Sequence, residues 1–173
     1  MQPTGLIAIG RLTKPHGLRG DLVFLPYVYD VQLLPDLVQR QVVLQQGSTP
    51  GYTTTLLEWR VAHKRVLVRL HGCGDIATAE ALRGCEVLIP RSWFPPLPAG
   101  EYYWFEVEGL AVYANDGHYL GTVVDIIYTG SNDVYVVHHG SQETLIPALR
   151  AVIHTIDLER GAVHLYPVAG LLD

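Results

Sequence analysis

No apolar run in this chain of 173 residues approaches the ~20 that a membrane-spanning helix needs. The opening Met1-Gln2-Pro3-Thr4 carries neither the basic start nor the long apolar stretch of a secretory signal. A membrane partner is therefore not expected, and the expected location is cytoplasmic. Cysteine is nearly absent: Cys73 and Cys85 are too few for a disulfide framework and lack the paired spacing of a zinc site. Both are expected to be buried or idle thiols. There is no G-x-x-x-x-G-K-[ST] string to cradle phosphates and no G-x-S-x-G to mark a nucleophile elbow, so nucleotide-driven work and serine hydrolysis lose their usual signatures.

Two weaker signals point toward chemistry, and each has a plainer explanation. Gly72-Cys73-Gly74-Asp75-Ile76-Ala77 fits G-x-G-x-x-A between a predicted strand and a predicted helix. However, the helix is too short for a dinucleotide-binding crossover. The next strand ends at Pro90-Arg91 without a ribose-binding carboxylate, and no second βαβ unit follows. A simple turn and helix start accounts for the string. The eight histidines are scattered, and the one adjacent pair, His138-His139, faces opposite sides of any strand. No catalytic residue, cofactor or metal is expected.

Hydrophobic residues make up 49% of the chain, enough for a packed core without staples. The net charge of -5 argues against a surface that is basic throughout, but the charge is unevenly placed. Residues 1–92 hold ten Lys or Arg against seven Asp or Glu, a balance of +3; residues 93–173 hold two against ten, a balance of -8. Such a split suits a polyanionic partner for the first part and a basic protein for the second, although chance surface composition gives the same numbers.

The change of sign falls on Ser92-Trp93-Phe94-Pro95-Pro96-Leu97-Pro98-Ala99-Gly100, where three prolines forbid a regular helix or central strand. A Pro-rich linker over 93–100 is expected, with Trp93 and Phe94 pinning it to a neighbouring domain. Short strands fill residues 1–92, with one helix from Asp75 as N-cap to Arg83 and Gly84 beyond its end. Strands of similar length fill 101–173, with turns at Asn115-Asp116-Gly117 and Glu159-Arg160-Gly161, and a weak helical signal at 148–152. The expected fold class is all-β, with two small barrels joined by the linker.

Two strings stand out as binding candidates. Between two strands, Pro15-His16-Gly17-Leu18-Arg19-Gly20-Asp21 places glycines around Leu18-Arg19, and Lys14, His16 and Arg19 form a donor set suited to phosphate or a protein carboxylate. The same polar groups can equally cap their own loop. Glu101-Tyr102-Tyr103-Trp104-Phe105-Glu106 sets four aromatics between acids. Read as a strand, Tyr102 and Trp104 share one face while Tyr103 and Phe105 share the other. One pair is then an anchor for a basic protein beside Glu101 and Glu106, or both pairs are packing.

These strings agree in order with one family. The chain resembles the ribosome maturation factor RimM family through His16 to Asp21, Ala79-Glu80-Ala81-Leu82-Arg83-Gly84, Tyr102-Tyr103, Gly109-Leu110, Leu120-Gly121-Thr122-Val123, Asn132-Asp133-Val134, Leu145-Ile146-Pro147 and Gly170-Leu171. It departs at Val168-Ala169, where the family commonly has P-E before G-L, and at Ala148, where an aromatic is common. The resemblance implies a translation-factor-like N-terminal barrel over 1–92 and a PRC-barrel over 101–173. It also implies a non-enzymatic, monomeric assembly factor that binds the immature 30S subunit through ribosomal protein S-nineteen in the head. Such a factor promotes head assembly and 16S rRNA processing. If the chain acts so, the basic loop around Lys14, His16 and Arg19 would touch RNA or a neighbouring protein of the ribosome. The alternatives are a small-barrel nucleotide- or metal-dependent enzyme, or a PRC-type adaptor unrelated to ribosomes.

Overall fold

The computed structural model describes residues 5–27, 31–33 and 35–167. The chain divides into two compact units, 1–95 and 96–173, both built mainly of β-sheet. The matched residues Gly170-Leu171 and the departure at Val168-Ala169 lie outside the described residues.

In the first unit β1 (Leu6–His16), β2 (Asp21–Pro26), β3 (Gln41–Gln45), β4 (Tyr52–Ala62), β5 (Arg65–Leu70) and β6 (Glu86–Pro90) follow the spatial order β1-β2-β5-β4-β3-β6. Because β6 also pairs with β1, the hydrogen-bond ladder closes. Closure requires long strands that bend, and the two eleven-residue strands supply them. The register of β1 shifts between Ala8 and Gly10 and again between Leu12 and Lys14, so that its first half serves β6 and its second half β2. At Gly10 a Cβ would strike the Phe24 ring, so only glycine allows the two strands this approach. Alternate residues point inward, and Ile9, Leu12, Leu22, Phe24, Leu56 and Leu67 are almost wholly buried.

Local chemistry explains the connections. His63 and Lys64 both have positive φ (48° and 63°) in the two-residue turn that pairs Ala62 with Arg65, the backbone twist that tight hairpins favour. Helix α1 (Ile76–Ala81) begins where Asp75 accepts the Thr78 N–H at 2.7 Å, and it ends before Gly84, which has a φ of +86°. It is shorter than the predicted 75–83 segment, and within it only Ala79 is buried. Within the expected linker, Phe94 is buried and the Arg40 guanidinium lies 4.7 Å from the Trp93 ring centre.

The second unit holds α2 (Trp104–Val107), β7 (Ala111–Tyr113), β8 (Tyr119–Tyr128), β9 (Asp133–His139), β10 (Gln142–Pro147), β11 (Ile153–Asp157) and β12 (Ala162–Leu165). Its six strands form one sheet in the order β10-β9-β8-β7-β12-β11, antiparallel except where β12 runs parallel to β7. Among the described residues the ladder leaves β10 and β11 as its two ends. Val112, Val123, Val137, Ile146 and Val163 make the buried face. The helical signal at 148–152 becomes a single turn, in which the N–H groups of Val152 and Ile153 share the Leu149 carbonyl.

Candidate functional site

The β1–β2 hairpin is short, polar at its surface and firmly seated. His16 pairs with Asp21 across the ladder, and the loop between them turns on Gly17 and Gly20, with φ of +68° and +77°. At Gly20 glycine is needed for a second reason, because a Cβ would fall on the Cys73 carbonyl. In return the Cys73 thiol donates to the Gly20 carbonyl at 3.2 Å. The glycine-rich string 72–77 is therefore the seat of this hairpin and the start of α1. The dinucleotide alternative fails on topology as well, since β5 and β6 on either side of α1 are not neighbours.

Asp21 is the loop's anchor, a role the sequence did not reveal. It is 6% exposed and accepts from Arg60 Nη2 at 2.9 Å and Arg69 Nε at 2.6 Å. Glu58 completes a ring of charges by pairing with the same two arginines at 2.9 and 3.0 Å. Burial pushes the Asp21 carboxyl up, but the hydrogen bonds and charges of Arg69 and Arg60 outweigh it and hold the group below the ordinary carboxylate value. Lys14, His16 and Arg19 are all exposed, and Lys14 and His16, two apart on β1, share a face. Between them the tip presents Leu18, 80% exposed. The signal that could have found Leu18 is its place between two glycines, where no strand partner can cover it.

The segment Glu101–Glu106 is not the strand that its aromatic content predicts. Glu106 lies three residues after Tyr103 and turns its carboxylate back to accept the Tyr103 N–H at 3.0 Å, which caps α2 at Trp104. A helical turn replaces alternation. Tyr103 is buried and stacks on Phe105 at 5.1 Å, and its hydroxyl is pushed up by burial and then by Glu106. Tyr102 is half-buried and donates to the Ile156 carbonyl at 3.3 Å, while Glu101 is exposed. Of the four residues predicted to meet a partner, Glu101 is exposed, Tyr102 and Glu106 are half-buried and Tyr103 is buried.

Acid also gathers elsewhere in this unit. Desolvation, and then Asp125, pushes the Glu108 carboxyl up; burial does the same to Asp133. Tyr135 is pushed up to about 12, by burial first and then by Asp133 and Tyr102. No grouping of three or more His, Cys, Asp or Glu suited to a metal occurs among the described residues, and none of their helices is long and apolar enough to cross a membrane.

The fold defines a two-domain protein built mainly of β-sheet. The chain matches the family model of the RimM N-terminal domain over residues 7–94 and that of the RimM PRC barrel domain over 104–171. It belongs to the RimM family. It is 37% identical to the ribosome maturation factor RimM of Geobacter metallireducens over 171 residues, covering 98% of this chain and 97% of that protein. It is also 37% identical to the protein of the same name from Thermotoga maritima over 157 residues, covering 90% and 87%. The crystal structure of a 16S ribosomal RNA processing protein RimM from Pseudomonas aeruginosa is 29% identical, with 95% and 98% coverage and a TM-score of 0.46.

Proposed function

We propose that this chain is a ribosome maturation factor that binds the immature 30S subunit, engages ribosomal protein S-nineteen in the head, and promotes head assembly and 16S rRNA processing. The general role in ribosome maturation follows from family membership. The observation that carries the finer reading is the β1–β2 hairpin: an exposed cationic tip held on a rigid base by the Asp21 ion pairs and the Gly20–Cys73 contact. A rigid tip loses little conformational freedom on docking, so more of its contact energy appears as affinity. Lys14, His16 and Arg19 supply donors to RNA phosphates, and Leu18 adds an apolar point of entry. In the second unit Glu101 and Tyr102, on the turn that Tyr103 and Glu106 build, form the contact with the basic ribosomal protein.

In this reading the domains are an N-terminal barrel over 1–92, a Pro-rich linker over 93–100 and a PRC-barrel over 101–173, acting as a cytoplasmic monomer. Binding an immature head better than the mature one shifts the population of head conformations, and maturation then releases the factor without chemistry.

The test is co-sedimentation with small subunits, large subunits and joined ribosomes at two salt concentrations. Binding confined to unjoined small subunits is expected, weakened by Leu18→Ser and by Tyr102→Ala with the fold intact. Retention of full affinity in both variants removes these contacts from the proposal, and no binding to any particle at low salt refutes the reading as a whole.

A further inference from the structure

Strand order in the second unit assembles a feature no local string announces. Tyr113 on β7 and His164 on β12 are ladder partners, each set next to fully buried valines, Val112 and Val163, so both rings project from the opposite face. Their ring centres are 5.6 Å apart and nearly parallel, at 21°. Tyr119 on β8 follows at 5.6 Å from Tyr113, and His139 on β9 at 5.2 Å from Tyr119. A hydrogen bond of 2.9 Å between the Tyr119 hydroxyl and Thr122 fixes the middle of this row. Four strands thus carry a continuous line of rings.

The row ends at a cavity of about 510 Å³ whose lining includes His164, His154, Tyr166, Asn115, Asp157 and Arg160. His154 and Tyr166 meet edge to face at 4.7 Å, and Tyr166 is 44% exposed. Only two cations occur in residues 93–173, Arg150 and Arg160, and Arg160 stands at this cavity with its side chain 84% exposed.

We infer that this cavity and ring row form a stacking site for unpaired RNA bases. The cavity volume suits a nucleoside. Tyr113 and His164 lie nearly parallel, but Tyr119 is tilted at 56° to Tyr113 and His139 stands at 69° to Tyr119, so the row offers ring faces and edges in turn. The exposed Tyr166 ring gives a base a face at the cavity, where Arg160, paired with Asp157 at 3.7 Å, is the cation for a phosphate. The unit's balance of -8 opposes polyanions at long range, but that field fades within about 8 Å at physiological salt, and stacking contacts act at closer range. Recognition here therefore rests on bases more than on the phosphate chain, unlike a basic groove. This site is separate from the hairpin contact, and neither proposal needs the other.

The experiment is fluorescence anisotropy of the full chain with a labelled single-stranded RNA hexamer at three salt concentrations. The chain carries Lys14→Gln, His16→Gln and Arg19→Gln throughout, which removes the three hairpin donors from the signal. Saturable binding is expected with a shallow log–log salt slope of about -0.7, the value for a single phosphate contact on a single strand. Tyr166→Ala should weaken it about tenfold, as should Tyr113→Ser, and Arg160→Gln should abolish the remaining salt dependence. A blunt RNA duplex should not compete. Absence of binding at millimolar protein, affinity unchanged in Tyr166→Ala and Tyr113→Ser, or preference for an arginine-rich peptide over the RNA would each overturn the assignment. Failure of small-subunit co-sedimentation would leave it standing.

Discussion

Replacing Asp21 by Ala should loosen the base of the hairpin and the β2–β5 ladder together. The carboxylate is 6% exposed and holds Arg60 and Arg69, whose side chains keep 41% and 30% of their exposure. Breaking a fully buried pair costs about 3–5 kcal/mol and an exposed one at most about 1, so this half-wet cluster falls between, at about 2 kcal/mol. Removal also turns a balanced set of two acids and two arginines into one with a surplus positive charge. The assay is amide hydrogen exchange at Leu22, Phe24, Val66 and Val68, which belong to the ladder that Asp21 begins. A loss of about 2 kcal/mol appears as roughly 30-fold faster exchange where opening governs the rate. The folded carboxyl titrates below its unfolded value, near 3.9, so its contribution is complete above that pH and is lost as pH falls through the folded value. The gap between wild type and variant should hold at neutral pH and close in stronger acid. Less than a threefold change at neutral pH, or a gap that persists undiminished in strong acid, would refute the reasoning.

The two hairpin glycines should separate conformational strain from crowding. Gly17→Ala meets nothing within 4 Å and should cost about 1 kcal/mol in urea denaturation, whereas Gly20→Ala drives its Cβ onto the Cys73 carbonyl and should cost about 3. Changing His63-Lys64 to Asn-Gly, which adopt positive φ more readily, should raise stability by about 1 kcal/mol; an unchanged denaturation midpoint would count against the turn assignment. Glu108→Gln should stabilise the chain at neutral pH. A carboxyl whose folded value is raised opposes folding when ionised, so wild-type stability should rise as pH falls toward that value, and the variant should lose this rise. Burial pushes both the Cys73 and Cys85 thiols up, so each should react with a thiol reagent only as fast as the structure opens.

What the sequence made legible was short in range. Asp75 capping a helix, Asn115-Asp116-Gly117 turning a hairpin and prolines interrupting 92–100 are decided by residues that touch near neighbours, and the chemistry of each is visible in the string. The turn at Tyr103–Glu106 shows where this breaks down. Aromatic content favours a strand, but one glutamate three residues along reaches back to the backbone and tips the segment into a helix. Asp21 was hidden for another reason: its partners are 39 and 48 residues away, and only the barrel order brings β4 and β5 to it. In the ring row on the second sheet Tyr113 and Tyr119 meet across one hairpin, but the whole row exists only once four strands lie side by side.

The parallel pairing of β12 with β7 has a consequence for how this protein is made. Ala111 finds its partner in Ala162, with fifty residues between them, so the strand that opens the second sheet waits for the strand that completes it. During synthesis β7 to β10 can form a meander as they emerge, but the edge of β7 stays uncovered until β12 has left the exit tunnel. A chain stalled before that point carries an unpaired, apolar edge that invites pairing with another nascent chain. The vulnerable interval in the life of this protein therefore lies between the emergence of β10 and that of β12.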